Sequence, residues 1–173
     1  MAAGVTGYVS TVMGTPLGEM AIVVSERGVV WTTFIEDEDV PELGALEARL
    51  GSPIRRGGAR AMAPIRREVD AYFRGTGRTF ATPVDLSLVP DGFRRRVLEA
   101  TIAIPYGEMV TYGDVASAAG GRRAGRAAGG ALSHCPIELF VPCHRVVHAG
   151  GTIGGYGRHE DRKRWLLRHE GAI

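Results

Sequence analysis

The hydrophobic pattern of the chain changes at residues 89–92, which read Val-Pro-Asp-Gly. Before this point, β-branched and aromatic residues form short runs, and the runs at 18–25 and 29–34 flank a Glu-Arg-Gly loop typical of a β-hairpin. After it, apolar residues recur at the spacing of helices. The chain is therefore predicted to be an α/β protein of two domains, a sheet with helices in residues 1–88 and a mostly helical part in residues 89–173.

The segments between the hairpin and this boundary carry weaker signals. Residues 41–50 place leucines on one helical face, and Pro64 is expected to open a second helix that stops at Gly75. Residues 51–60 are rich in Gly and Arg, which predicts a mobile loop. The β-branched and aromatic content of residues 80–88 predicts one more strand.

Three helices are predicted in the second half of the chain. Asp91 is expected to cap the first, and Thr111 and Asp114 have the spacing of a capping box that opens the second. The second helix should end at residues 120–121, both Gly, before a third at 123–132 that consists largely of Ala, Gly and Arg. A helix, a glycine turn and a helix with protruding Arg indicate a helix-turn-helix. The bare surface of the third helix suits either a narrow DNA groove or close packing against another helix.

Charge is divided unevenly between the two halves. Residues 1–89 contain nine Arg against eleven acidic residues, whereas residues 90–173 contain twelve basic residues against eight acidic ones, with all five His and both Cys. The basic surplus either attracts an anionic partner or is solvated surface charge. No apolar run approaches the roughly 18 to 20 residues that span a bilayer, and no signal-peptide pattern is present, so we expect a cytoplasmic protein without a membrane partner.

Residues 137–147 form an apolar, strand-like run in which Cys143 is followed by His144 and Arg145. A thiol attacks only as the thiolate, and a neighbouring imidazole or guanidinium favours that form. In an extended segment, however, adjacent side chains point to opposite sides. His144 would then take the proton of Cys143 only if the chain turned sharply or a water molecule bridged the pair. A buried, inert thiol is the alternative.

The second cysteine, Cys135, offers two further interpretations. His134, Cys135, Cys143 and His144 would together supply four zinc ligands, but adjacent pairs fit the spacings of zinc sites poorly, so no metal is expected. A disulfide between the two cysteines is sterically conceivable, although a protein that is not exported does not need one for its structure.

The motif around Cys143, residues 142–147 (Pro-Cys-His-Arg-Val-Val), resembles the acceptor-cysteine motif of the O6-alkylguanine-DNA alkyltransferases, also called methylated-DNA–protein-cysteine methyltransferases. Further segments match this family in order and nearly in spacing, namely 104–108, 111–113, 126–131, 154–157 and 165–171. The resemblance covers residues 90–171 and is loose in the first half of the chain. It implies a ribonuclease H-like first domain and a helix-turn-helix, winged-helix-like second domain that binds DNA.

The resemblance implies a DNA repair reaction that needs no cofactor. Cys143 would attack the alkyl carbon of O6-methylguanine, and less well of O4-methylthymine, in double-stranded DNA and keep the alkyl group. Each monomeric molecule would therefore work once, as a suicide enzyme. His144 would take the thiol proton through a water molecule, and Glu170 would orient and polarise His144. Tyr112 would donate a hydrogen bond or a proton to the departing guanine.

The resemblance also assigns binding roles. The target base must be turned out of the duplex, and Arg126 resembles the family's finger, which enters through the minor groove and fills the gap. The other expected DNA contacts are Tyr112, Gly113, Ala127, Leu132 and Arg94, and the expected walls of the alkyl pocket are Pro142, Val146, Tyr156 and Gly157. Cys135 stands at a hinge where the family usually has Asn. Because a cysteine offers one weak donor there, we expect a looser pocket and slower transfer.

Three other functions fit parts of the pattern. An alkyltransferase-like lesion sensor would bind the base without transferring the alkyl group, but such proteins lack the acceptor cysteine. A cysteine hydrolase would turn over repeatedly and would need an oxyanion hole, which the sequence does not reveal. A DNA-binding regulator of the helix-turn-helix type would keep its activity after Cys143→Ala.

Overall fold

The structure, a computed structural model, describes residues 7–35, 43–157 and 159–173. The chain is divided into two units, the first comprising Met1–Leu88 with Pro136–Glu138 and the second Val89–Cys135 with Leu139–Ile173. Among the described residues, a four-stranded sheet, a two-stranded sheet and six α-helices confirm the predicted mixed α/β fold. No helix in these ranges has the length and apolar character needed to cross a membrane.

The first unit is built on the four-stranded sheet, with the strand order β3-β2-β1-β4. Its strands are β1 (Tyr8–Thr15), β2 (Gly18–Ser25), β3 (Gly28–Phe34) and β4 (Ile54–Arg56). β1 and β3 run antiparallel to β2, and β4 runs parallel to β1. The predicted hairpin is confirmed as β2–β3, because β-branched residues bury side chains along both strands and Gly28 adopts a positive φ of 141° at the turn.

Two helices, α1 (Leu43–Leu50) and α2 (Ala59–Phe73), belong to the same unit. Leu46 of α1 packs in the core with Val23 and Val30 of the sheet. Pro64 lies inside α2 instead of opening it, since the helix already begins at Ala59. The segment 51–60, predicted as a loop, contains the short edge strand β4, whose backbone pairs with β1.

The strand predicted at residues 80–88 is wrong. Val84 makes only an isolated bridge to Val29, and a 3-10 turn follows at Leu86–Leu88. Pro83 accepts a hydrogen bond from the N–H of Val29 at 2.8 Å, and the N–H of Asp85 returns one to the Val29 carbonyl at 2.7 Å, but Pro83 has no N–H with which to extend the ladder. The ladder therefore stays short.

A buried carboxylate ties this segment to the hairpin. Asp85 is 5% exposed and accepts hydrogen bonds from the Ser25 hydroxyl at 2.6 Å and the backbone N–H of Ser87 at 3.0 Å. Arg27, whose side chain is 71% exposed, approaches the same carboxylate to 3.1 Å. This Asp85 cluster, made of Asp85, Ser25, Ser87 and Arg27, links the β2–β3 turn to a segment almost sixty residues away.

The second unit contains the remaining elements. They are α3 (Phe93–Ile102), β5 (Val110–Thr111), α4 (Tyr112–Ala118), α5 (Gly125–Ser133), β6 (Val146–Val147) and α6 (Glu160–His169). β5 and β6 pair in parallel, so the segment that follows Cys143 is tied to the start of α4. The three helices predicted from the sequence between residues 91 and 132 are confirmed as α3, α4 and α5.

Capping differs between these helices. The capping box of α4 is confirmed, because the Thr111 hydroxyl accepts the N–H of Asp114 at 3.1 Å and Asp114 accepts the N–H of Thr111 at 2.9 Å. The prediction that Asp91 caps α3 is wrong. Gly92 occupies the N-cap, and Asp91 instead pairs with Arg95 one turn further on, at 2.9 Å.

Candidate active site

Cys143 lies on a sharp turn and not on a strand. Residues Cys143–Arg145 form one turn of 3-10 helix, which corrects the extended conformation expected for this segment. The turn is closed by a hydrogen bond from the N–H of Arg145 to the carbonyl of Pro142 at 2.9 Å. Cys143 is 7% exposed and His144 is fully buried. The chain thus turns sharply at Cys143, which is one of the two arrangements that would bring an adjacent imidazole into play.

His144 is held through one ring nitrogen only. Its Nε2 lies 2.8 Å from Oε1 of Glu170, and both side chains are inaccessible to solvent. Because a carboxylate only accepts, Nε2 carries the proton and donates, which leaves Nδ1 of a neutral ring as an acceptor. In the described part of the chain, this buried Nδ1 has no hydrogen-bond partner. Burial lowers the pKa of His144 below its ordinary value, although the hydrogen bond and charge of Glu170 oppose this.

The carboxylate of Glu170 is shared with a buried arginine. Nε and Nη2 of Arg145 donate to its two oxygens, each at 2.9 Å, and the N–H of Gly107 donates to Oε2 at 3.1 Å. The remaining Nη1 of Arg145 donates to the carbonyl of Ile104 at 2.5 Å. The fork fixes the plane of the carboxylate. The orientation of the His144 ring is fixed in turn, because Oε1 of Glu170 accepts hydrogen bonds from both Arg145 and His144.

Tyr112, the first residue of α4, stands beside this turn. Burial and, secondarily, the charge of Cys143 raise the pKa of its hydroxyl, so it stays protonated at neutral pH. Its ring centroid lies 5.1 Å from that of His148. The ammonium nitrogen of Lys163, from α6, lies 5.7 Å from the same ring centroid.

The residues predicted to wall an alkyl pocket differ in burial. Pro142 and Val146 are buried at the two ends of the Cys143 turn, whereas Tyr156 is half-buried in the loop between β6 and α6. Gly157, the next residue of that loop, is exposed and has a φ of 60°. Their role in binding an alkyl group stays a prediction.

Helix α5 has two different faces. Ala128 and Ala131 are buried, which fits close helix packing, and a side chain at Gly129 would touch the ring of Tyr112 at 3.7 Å. Arg126 and Ala127 are exposed in its first turns. The small residues therefore pack on one side and leave bare, accessible backbone on the other. Close packing is confirmed for the buried face, while the approach of a DNA groove to the exposed face stays a prediction.

The remaining predicted contacts are less uniform. Gly113 is exposed near the start of α4, while Leu132 is buried at 8% exposure. Arg94 donates to the carbonyl of His134, at the end of α5, so part of its guanidinium is engaged within the unit. Cys135 is half-buried, its N–H donates to the carbonyl of Leu132 at 3.1 Å, and neither Cys135 nor Cys143 is in a disulfide. The described residues contain no group of three or more His, Cys, Asp or Glu that could hold a metal ion.

The chain has relatives of known family along most of its length. Residues 92–172 match the model of the 6-O-methylguanine DNA methyltransferase, DNA binding domain. The methylated-DNA–protein-cysteine methyltransferase of Rattus norvegicus is 34% identical over 171 residues, which cover 93% of this chain and 81% of the relative. The chain belongs to this methyltransferase family.

Solved structures of the methyltransferase family share the fold. The crystal structure of the Mycobacterium tuberculosis O6-methylguanine methyltransferase has a TM-score of 0.77 and 31% identity, covering 95% of this chain and 92% of that one. The structure of the Mycobacterium tuberculosis OGT in complex with DNA gives a TM-score of 0.77 at 30% identity, with the same coverage. The family resemblance stated from the sequence is confirmed.

Two residues of this methyltransferase site were missed in the sequence. Arg145 was considered only as a cation beside Cys143, and its fork to Glu170 could not be seen because the partners lie far apart in the chain. Lys163 was not considered at all, although it left a signal. It is the only lysine in a chain with twenty arginines.

Proposed function

We propose that this protein repairs DNA by moving the alkyl group of O6-methylguanine, and less efficiently of O4-methylthymine, onto the sulfur of Cys143. The transfer is irreversible, so each molecule reacts once. The observation that carries the proposal is the fixed order of groups behind the thiol. Glu170 holds Nε2 of His144 at 2.8 Å, and the opposite ring nitrogen is left to accept a proton. Membership of the methylated-DNA–protein-cysteine methyltransferases supports the same reaction.

The first step activates the nucleophile. The thiol proton of Cys143 passes through a bridging water to Nδ1 of His144, which then carries both ring protons as an imidazolium. The carboxylate of Glu170 stabilises that cation at hydrogen-bond distance. Because burial lowers the pKa of His144, the ring is neutral at physiological pH and free to accept.

The second step displaces the base. The thiolate forms a bond to the alkyl carbon while the bond from that carbon to guanine O6 breaks, and the electron pair leaves with the purine. Tyr112 keeps its proton because its pKa is raised, and its hydroxyl donates a hydrogen bond to the departing purine. The purine takes up one proton, and His144 releases the one it accepted. No cofactor enters this balance.

The DNA-binding face of the proposal centres on α5. Exposed Arg126 stands among small residues, so a minor groove could approach the helix backbone while the guanidinium enters the gap left by a flipped base. Ala127 and Gly113 would lie along the same approach. The Mycobacterium tuberculosis relative in complex with DNA supports DNA as the partner.

The finer architecture belongs to the proposal as well. We assign residues 1–88 to a ribonuclease H-like domain, supported by the order β3-β2-β1-β4 with β4 parallel to β1. We assign residues 89–173 to a helix-turn-helix domain of the winged-helix type, supported by the packing of α4 on α5. The monomeric state and the cytoplasmic location stay predictions from the sequence.

The test is incubation with duplex DNA that contains O6-methylguanine, followed by intact-mass measurement. We expect one methyl adduct per molecule, located on Cys143 by peptide mapping and lost in Cys143→Ala. The matched control is Cys135→Ser, which removes the other thiol and should keep the adduct.

Each rival function predicts a different result. DNA binding without an adduct on folded protein would indicate a lesion sensor or a regulator and would overturn the proposal. Release of alkyl product over repeated turnovers would indicate a hydrolase.

A further inference from the structure

The only lysine of the chain is one of its most deeply buried residues. The sequence uses arginine at twenty positions and lysine once, at Lys163, which is fully buried on α6. A guanidinium is large, planar and always charged, whereas an ammonium is compact and shifts its pKa readily when it is buried. A chain that otherwise uses arginine for its cations therefore has lysine where a small, adjustable charge fits.

The ammonium of Lys163 faces the turn that carries the nucleophile. Nζ donates to the carbonyl of Val146 at 2.6 Å, three residues after Cys143, and lies 5.7 Å from the ring centroid of Tyr112. Helix α6 packs directly on the Cys143 turn. The ammonium thus lies between the backbone that follows the Cys143 turn and the ring of Tyr112, the first residue of α4.

Among the described residues, no carboxylate forms an ion pair with this cation. The buried carboxylate of Glu170 is taken up by His144 and Arg145. Glu160, on the same helix, acts on Lys163 only from an exposed position. The other titratable groups that act electrostatically on Lys163 or feel its charge are Cys143 and His144. An uncompensated buried ammonium is costly, so a counter-charge is expected nearby.

We propose that Lys163 is a positioning residue for alkyl transfer, whose buried ammonium takes the thiolate of Cys143 as its counter-charge. This rests on the proposed role of Cys143 as the nucleophile. The stabilisation is mutual, because the cation favours the thiolate and the thiolate favours the cation. Burial lowers the pKa of Lys163 to about 8, and the charge of Cys143 opposes that shift. Once His144 has taken the thiol proton, the thiolate therefore favours the protonated form of Lys163, and alkylation removes that support.

The first test compares Lys163→Met with Lys163→Gln in a Cys135→Ser background, where only one thiol remains. Methionine keeps an unbranched apolar stem, and glutamine keeps a donor for the Val146 carbonyl, but neither carries a charge. The rate of alkylation by iodoacetamide is followed against pH. We expect the apparent pKa of the Cys143 thiol to rise by about one unit in both variants, so the thiolate fraction falls about tenfold at pH values below that pKa. Transfer from O6-benzylguanine should fall similarly in the same pH range and recover at higher pH.

A structural role for Lys163 predicts other outcomes. If Lys163→Gln alkylated with the same pH dependence as the protein that keeps Lys163, the hydrogen bond to Val146 alone would explain why a lysine is buried here. The proposal would then be wrong. A loss of transfer that did not recover at high pH, with an unchanged thiol profile, would overturn it equally.

The second test uses the unmutated side chain and does not depend on how the variants fold. With a single lysine, ε-15N-lysine labelling gives one Nζ signal, which is titrated by NMR before and after Cys143 is capped with methyl methanethiosulfonate. We expect the pKa of Lys163 to fall by about one unit after capping, since the counter-charge is lost. An unchanged pKa would contradict the proposal. Capping needs no DNA, so this titration tests the role of Lys163 independently of the repair activity. Failure of the proposed repair activity would be seen in a different measurement, as the absence of a benzyl adduct after incubation with O6-benzylguanine.

Discussion

In the described residues, each unit of the protein buries one carboxylate with an arginine beside it, and the two clusters differ in what else they contain. Asp85 and Glu170 are 5% and 7% exposed. Asp85 accepts hydrogen bonds from a serine hydroxyl and a backbone N–H. Glu170 accepts hydrogen bonds from the imidazole of His144 and the N–H of Gly107. Only the second carboxylate faces a group that can gain and lose a proton near neutral pH.

The difference shows that burial of a carboxylate does not by itself mark a reactive site. The donors around Asp85 keep their protons across the physiological range, so this cluster fixes a turn to a distant segment. Around Glu170, the guanidinium side chain is 8% exposed, against 71% for Arg27 beside Asp85. The buried fork holds Glu170 rigidly, and that rigidity passes to the His144 ring.

The largest expected effect is on the rate of alkyl transfer, which should depend on Glu170 and not on Asp85. Glu170→Gln should slow alkyl transfer about 1,000-fold, because a neutral amide does not stabilise the imidazolium of His144. Asp85→Asn should leave the rate constant of folded protein unchanged. Single-turnover kinetics with O6-benzylguanine measure both, with circular dichroism to confirm folding. A comparable loss in the two variants would mean that the comparison between the clusters is mistaken.

The pH profile sharpens the same comparison. Transfer should decline at acid pH as His144 becomes protonated, and burial places this decline below the ordinary pKa of 6.5. Glu170 raises the pKa of His144 through its hydrogen bond and charge, so Glu170→Gln should move the decline to still lower pH while lowering the plateau. Asp85→Asn should leave the profile in place. Rates measured between pH 5 and 8 test this prediction. A move of the acid decline to higher pH in Glu170→Gln would contradict the role given to Glu170.

The sequence predicted those elements that local pattern decides. The β2–β3 hairpin and the α4 capping box follow from β-branched runs and from the spacing of Thr111 and Asp114. Edge strand β4 was missed because it has three residues, two of them exposed, and exists only by pairing with β1. The Cys143 turn was missed since its apolar run is buried by the rest of the unit, which local pattern cannot distinguish from a strand.

The site was less accessible from pattern than the fold. Glu170 was linked to His144 only through the family resemblance, because nothing in the spacing of residues 144 and 170 indicates contact. Arg145 and Lys163 were missed for a related reason. Cations on a basic chain are usually solvated, and only tertiary structure shows that these two are buried.

The third prediction concerns stability. Arg145→Met should lower the free energy of unfolding by roughly 3 kcal/mol, because it leaves the buried carboxylate of Glu170 without its guanidinium. Urea unfolding measures the loss. The double variant Arg145→Met with Glu170→Gln should recover part of it, since the remaining amide is neutral. A loss below about 1 kcal/mol in the single variant would show that Arg145 is dispensable to the cluster.

A smaller loss of stability is expected at the first carboxylate. Asp85→Asn should cost about 2 kcal/mol, because the amide presents a donor to groups that already donate. Burial tends to raise the pKa of Asp85, but hydrogen bonds from Ser25 and Ser87 with the charge of Arg27 outweigh it, so the pKa is lowered. The contribution is therefore full above the unfolded pKa of about 3.9 and is lost as the pH falls through the lower, folded value. Urea unfolding at pH 7 and in acid should show the difference between the two proteins shrinking. A difference that is constant with pH would exclude the charge of Asp85 as its source.

The smallest expected effect tests the arginines themselves. Arg27→Met should change the free energy of unfolding by less than about 1 kcal/mol, because its side chain is 71% exposed and solvent screens its approach to Asp85. Asp85 would keep the Ser25 hydroxyl and the Ser87 N–H, so no buried charge is left without donors. Urea unfolding of Arg27→Met beside Arg145→Met makes the comparison direct. If the two arginines cost the same, burial of the guanidinium would not be what distinguishes the clusters, and the rigidity assigned to Glu170 would need another source.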